Sequence, residues 1–251
     1  MAKQSGLFPI EGTMENVTFY KTEDGFMVRR KGGVSKEKIA NDPAYARTRE
    51  NNNQFGLNAK SGKLLRVSIA SLLKKGKDSR VSSRLTKVMG EVAKNDRVSV
   101  RGQKKTAIAL EDSNATSLLK GFNFNNRAVM ETILFSPYTA DVASGIITIS
   151  NIIPEEQIDA PQGATHVSFR SGFAAVNFVT EQTQTEYSEQ VLLPLNLTPT
   201  TVTLDPGAVP DAGAGAKMMV VLLLEFYQEL DGIKYPLLNG AHNALSIVNI
   251  E

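Results

Sequence analysis

The chain has no cysteine and no tryptophan, and only two histidines in 251 residues. Absent thiols exclude disulfides, thiolate zinc sites, iron–sulfur clusters and cysteine nucleophiles. Long apolar runs are missing too. The longest, Met218 to Leu224, is far too short to span a bilayer. The opening residues Met-Ala-Lys-Gln-Ser-Gly lack the apolar core of a signal peptide, so the expectation is a soluble protein made in the cytoplasm. Release within an assembly or virion stays open. No nucleophile elbow, P-loop, HExxH or dinucleotide fingerprint occurs, which removes the common local signatures of catalysis.

Charge of one sign is scarce in each half. Residues 1–105 carry 23 Lys+Arg against 10 Asp+Glu, a formal +13, and residues 106–251 carry 5 against 16, a formal −11. The near-neutral total of +2 hides this division. Residues 56–105 are the most basic, with 14 cations and 3 anions. An ordinary solvated helix face mixes both signs, so the excess points to a phosphate backbone or an acidic protein surface. No aromatic residue lies between Phe55 and Phe122, which disfavours base stacking and leaves backbone contacts without sequence preference.

Residues 7–33 read as a β-hairpin turning at Asp24-Gly25 and ended by Lys31-Gly-Gly-Val. Residues 35–105 read as helical. Ser35 can cap a short helix, and Asp42-Pro43 supplies a capping carboxylate with proline at the first helical position. Gly56 and Gly62 are candidate breaks that would split the next helix in two. Asp78 or Ser79 can cap a further helix, where Val81, Leu85, Val88, Met89 and Val92 form one apolar stripe. A short helix over 113–120 is expected to stop at Gly121.

From Phe122 onward the pattern is β. Candidate strands are Val129–Phe135, Gly145–Ile149, Thr165–Phe169, Ala174–Val179, Gln190–Leu195, Thr201–Leu204, Lys217–Gln228, Ile233–Leu237 and Ala244–Ile250. Pro and Gly punctuate them as in an antiparallel sandwich. The run from Met218 is apolar on both faces, as a central strand requires, and Glu229-Leu-Asp-Gly should turn it back. Pro206 to Gly215 reads as a flexible loop.

Candidate chemistry is sparse. His166 falls in a strand and His242 in the turn Asn239-Gly-Ala-His-Asn, and both read as structural. Glu131, Asp141, Glu181 and Glu225 are scattered carboxylates with nothing to single out a pair. Glu225 lies inside the apolar strand. Facing inward it would need a partner such as Lys217 or Arg170, so it is expected to face outward at a sheet edge.

Several stretches together resemble an uncharacterised protein family of Bacteroidota genomes. They are Ile10-Glu-Gly-Thr-Met-Glu-Asn-Val-Thr-Phe-Tyr-Lys-Thr-Glu-Asp-Gly-Phe, Asp42-Pro-Ala-Tyr-Ala-Arg-Thr-Arg-Glu-Asn, Ser61-Gly-Lys-Leu-Leu-Arg, Gly121-Phe-Asn-Phe-Asn and Tyr235-Pro-Leu-Leu-Asn-Gly-Ala-His-Asn-Ala-Leu. The resemblance runs over nearly the whole chain. It implies a bacterial or phage-related source and no activity or catalytic residue.

The expected fold is α+β, an N-terminal β-hairpin and basic helices followed by an antiparallel β-sandwich. The segments are 1–34 (hairpin), 35–120 (basic helical domain) and 121–251 (acidic sandwich). The first expectation for function is a non-enzymatic structural protein that self-assembles into a filament, tube or shell. Its basic helices would meet the acidic β surface of another copy. Sequence-nonspecific nucleic-acid binding, as in a nucleoid or virion protein, is the alternative, and an enzyme comes third. Docking of the two halves within one chain is the plainest use of their charge. The expected basic surface is Arg47, Arg49, Lys60, Lys63, Arg66, Lys74, Lys75, Arg80, Arg84 and Lys87. No catalytic residue, cofactor, metal or membrane partner is expected.

Overall fold

Hairpin chemistry organises the N-terminal region. In the structure, a computed structural model describing residues 2–4, 6, 8–30, 32–237 and 241–251, strands β3 (Val17–Thr22) and β4 (Gly25–Arg30) pair across the turn Glu23-Asp24. Gly25 takes a positive φ of 111° there, which glycine adopts without steric cost. The end of this hairpin at Lys31 lies outside the described residues. Strands β1 (Ala2–Lys3) and β2 (Gly12–Met14) extend the hairpin into an antiparallel sheet of order β1-β4-β3-β2. Cross-strand pairing puts Met14, Val17, Phe19, Lys21, Phe26, Val28 and Arg30 on one face and Thr13, Thr18, Tyr20, Met27 and Arg29 on the other. Helix α1 (Lys36–Asn41) follows, its Lys38 N–H donating to the Ser35 hydroxyl. Asp42 then accepts from Ala44 N–H and opens a 3₁₀ turn, Pro43–Tyr45. Both caps are those the sequence signals. This region forms one compact unit, Met1–Arg49, and Glu50–Glu251 forms the other.

Helix α2 (Ala46–Ser68) runs unbroken through Gly56 and Gly62, contrary to the expected split. Gly62 instead faces α4 (Val81–Ala93), and a Cβ there would stand 3.4 Å from Leu85 Cγ and 3.6 Å from Met89 Cγ, at ordinary van der Waals distance. The α4 stripe is as expected, with Val81, Leu85, Met89 and Val92 buried and Val88 partly so. Its cap is not. Arg80 occupies the N-cap without a side-chain bond. Asp78 instead accepts from Arg80 N–H and Asn126 N–H and pairs with Arg84.

The short helices α3 (Ala70–Leu73), α5 (Thr106–Ala109) and α6 (Ser113–Ser117) complete a helical layer. The segment read as a strand at Val129–Phe135 is instead a helical turn, α7 (Met130–Ile133). Asn123 Oδ1 accepts from its first N–H, and the turn drives Met130 and Ile133 inward.

Two antiparallel sheets follow. Strand β6 (Ile147–Ile152) lies between β5 (Thr139–Ala140) and β10 (Thr200–Leu204). A small turn, α8 (Pro154–Gln157), leads into β7 (His166–Val176). This strand is continuous where two were expected. It pairs with β8 (Thr183–Tyr187) and β9 (Val191–Pro194) on one side and β11 (Lys217–Leu230) on the other. The far side of β11 carries β13 (Ala244–Ile250) and β12 (Ile233–Pro236) end to end. β11 is therefore the central strand. The turn expected at Asn239–Asn243 lies partly outside the described residues.

Alternation along β11 explains the layering. Met219, Val221 and Leu223 join the helical residues Leu65, Leu72, Leu85 and Met89 in one core. Val220, Leu222, Leu224 and Phe226 face the smaller sheet, packing with Ile147, Ile149, Val202 and Leu204 in a second. Each fully buried side chain of this kind contributes about 1.5–3 kcal/mol. The compact units are Met1–Arg49 and Glu50–Glu251. Within the second, helices after residue 50 share a core with strands after residue 166, across the charge change near residue 105–120.

Candidate interaction surface

The ten basic side chains divide by what they touch. Arg47 and Arg49 belong to the first compact unit and the other eight to the second. Arg49 Nη1 donates to the carbonyls of Ile39 at 2.7 Å and Asp42 at 2.9 Å, tying α1 to the start of α2. Arg84 is similarly consumed. It pairs with Asp78 at 2.6 Å, donates to the Asn123 and Phe124 carbonyls, and lies 5.4 Å from the centre of the Phe122 ring. Burial pushes the Asp78 carboxyl upward, but the Asn126 N–H, the Arg84 guanidinium and the Arg80 N–H outweigh it and hold the pKa below its ordinary value.

Lys60 pairs with Glu181, and Lys75 with Glu225 at 2.9 Å. Arg66 Nε donates back to the Gly62 carbonyl. Arg47 and Arg80 are exposed, each with an interaction inside the chain. Lys63, Lys74 and Lys87 are exposed with no ion pair among the described residues. The basic segment thus spends part of its charge on its own fold and keeps the rest at the surface.

Glu225 faces inward, contrary to expectation. It is 5% exposed, and the alternation of β11 points it at the helical layer. Its partner is Lys75, in the turn after α3, and not Lys217 or Arg170. Arg170 instead stacks on Tyr187 and donates to the Ser188 carbonyl. The remaining carboxylates are also occupied. Glu131 accepts from Asn123 Nδ2 at 3.1 Å, and Glu181 holds Lys60. Asp141 accepts from the Ser144 hydroxyl and from the backbone N–H groups of Ala143 and Ser144, which lower its pKa.

His166 Nδ1 lies 2.9 Å from Thr165 Oγ1, and its Nε2 lies 3.4 Å from Glu229 Oε2, which Lys234 also approaches at 3.4 Å. These contacts brace the β11–β12 hairpin. Among the described residues no group of three or more His, Asp or Glu side chains could hold a metal ion, and no helix is long and apolar enough to cross a membrane. The loop over 206–215, expected to be flexible, is pinned. Asn177 Nδ2 donates to the carbonyls of Ala212 and Ala214, and Pro206, Pro210 and Ala212 are buried.

The segment 94–105, expected to be helical with the rest of 35–105, is instead a loop. Asp96 is buried and accepts from the N–H groups of Val98, Ser99 and Lys105 at 2.7–2.9 Å. Burial raises its pKa, but these bonds and the Ser99 hydroxyl more than reverse the effect and hold it far below the usual range. The loop so formed carries Lys104 and Lys105 beside α2. The dipeptide Asn95-Asp96 was a turn signal that could have found it.

Comparison with protein-family models, with curated proteins and with solved structures finds no match.

Proposed function

We propose that the chain is a non-enzymatic structural protein that self-assembles into an ordered polymer, a filament, tube or shell. The observation that carries this reading is the N-terminal sheet. One of its faces carries Met14, Val17, Phe19, Phe26 and Val28 together with Lys21 and Arg30, yet none of the described residues between 2 and 49 is buried. Small antiparallel sheets gain independent stability by burying one face. A neighbouring copy supplies such cover. The second support is charge. Lys63, Lys74 and Lys87 stand exposed on or beside the helices, and Glu155, Glu156, Asp159 and Glu189 stand exposed in the β half. Facing patches of opposite sign set register and association rate. A contact between two different patches, where rotation does not close a ring, grows into an open polymer.

Negative-stain microscopy with sedimentation, from low to high salt, tests the reading. The expected result is ordered polymer at low salt that loosens as salt rises. A monodisperse monomer at every salt concentration would overturn it. A second reading, nucleic-acid backbone binding by the same exposed lysines, has its own signature. Without tryptophan the protein absorbs weakly in the near ultraviolet. Copurifying nucleic acid would dominate the spectrum and favour that reading.

A further inference from the structure

Two features of the larger unit are left over by the fold. The first is the end of the β11–β12 hairpin. The strands turn through Asp231 and Gly232 at φ 51° and 79°, a two-residue reversal of the favoured hand. Leu230 opposes Ile233 and Gln228 opposes Tyr235, so these four share the face that continues from Leu224 and Phe226. The smaller sheet covers Leu224 and Phe226 but not the tip. Leu230, Ile233 and Tyr235 are 54%, 56% and 48% exposed. Lys234 and Pro236 on β12 blunt strand addition at its open edge. What the tip offers is therefore its apolar face, with the exposed carboxylate of Asp231 beside it.

The second feature is a cleft of about 350 Å³ between α2, α5 and the β7–β8 connection. Leu57, Ile108, Phe178 and Val179 supply its apolar lining, and Val179 is 74% exposed. Lys60, Lys104 and Lys105 stand around it. Lys60 is paired with Glu181, and Lys104 Nζ donates to the Asp96 carbonyl. Lys105 is exposed with no side-chain partner among the described residues. The cleft is apolar within, and its rim carries three lysines against one carboxylate, Glu181. The hairpin tip is apolar on one face and anionic at the turn.

We propose that the tip of the β11–β12 hairpin of one copy seats in this cleft on a second copy. Leu230, Ile233 and Tyr235 pack against the apolar lining, and the Asp231 carboxylate meets the cationic rim at Lys105. The inference rests on the self-assembly reading and names its anchoring contact. Tip and cleft are different patches of the same chain, so the contact is heterologous and propagates. A few well-packed residues near the centre of an interface commonly carry most of its energy, tyrosine prominent among them.

A chain without cysteine permits a direct test. The variant Ile233→Cys mixed with Val179→Cys, under mild oxidation and assembly conditions, is expected to give a disulfide-linked dimer that neither variant gives alone. Both positions are exposed, so folding is spared. Ile233→Asp should raise the concentration needed for assembly by about thirtyfold, the size of one lost hot-spot contact. Lys105→Glu should raise it less, and less still at high salt. If the wild-type chain assembles but the mixed cysteine variants do not cross-link, this contact is wrong and the self-assembly reading stands. A link formed by either variant alone would mean a symmetric contact and would also overturn it. If the wild-type chain remains monomeric throughout, both fall together.

Discussion

The two compact units are built from the same kinds of residue and differ in what those residues bury. The sheet of β1 to β4 places Phe19 opposite Val28 and leaves both only partly buried. The sheet around β11 places Phe173 opposite Val220, and both are fully buried. Alternation is present in each. The larger unit can satisfy both faces of its central sheet, with helices on one side and a second sheet on the other. The smaller one has turn chemistry, caps and cation–aromatic contacts, such as Lys21 over Phe26 and Arg29 over Tyr20. Local signals suffice to shape a sheet. A core needs a second layer.

The widest separation between the units should appear on removing one phenylalanine from each. Phe173→Ala deletes a ring packed between the sheets and should cost about 3–5 kcal/mol in denaturant unfolding. Phe19→Ala should change the stability of the same chain by under about 1 kcal/mol, while weakening assembly. Equal losses in unfolding would show that the N-terminal sheet is already part of a covered core, and the comparison would break.

The Lys75–Glu225 pair sharpens the account of how the helical layer is held. Their side chains are 40% and 6% exposed. Lys75→Met leaves an unpaired carboxylate buried and should cost about 2–3 kcal/mol. Glu225→Gln leaves a lysine that can reach water and should cost about 1 kcal/mol. The reverse order would mean that the lysine, not the carboxylate, is the trapped charge.

This pair also marks where the sequence stops being legible. The α4 stripe and the strands β10, β11 and β13 follow from periodicity, because each carries its own burial pattern. Glu225 does not. Its direction depends on Lys75, 150 residues away, and no local pattern encodes that partner. β8, Thr-Gln-Thr-Glu-Tyr, passes unnoticed because its polar residues suit an edge and hide a strand. The run Val129–Phe135 misleads in the opposite way, since apolar residues serve a buried helical turn as well as a strand. The charge division is plain in the sequence. The sharing of one core between the two halves is not, because it rests on packing across the whole unit. Which of the ten cations are spent on carbonyls, as Arg49 is, and which are left exposed follows only from the fold.

Acid should act on the larger unit through Asp96. Its folded pKa lies below its unfolded one. The stability it supplies is therefore complete above the ordinary carboxylate range and is lost as pH falls through that range toward the folded value. Asp78 is shifted in the same direction and adds to the effect. Asp96→Asn should flatten the acid limb of the unfolding profile and cost about 1–3 kcal/mol at neutral pH. An unchanged acid limb would show that other groups govern it.

The smallest effect concerns α2, whose residues continue from one unit into the other without a break. Gly56 lies in its interior with no atom within 4 Å of where a Cβ would stand. Nothing in the packing requires glycine there. Gly56→Ala should therefore gain about 0.5–1 kcal/mol from backbone entropy alone. Amide hydrogen exchange can read it locally, as slower exchange over residues 52–60 with the later helices unchanged. A loss of stability, or of assembly, would instead mean that the backbone at Gly56 is approached closely by another surface. The N-terminal half of α2, which presents an exposed Phe55 beside this glycine, would then belong among the contact surfaces and not among the spacers.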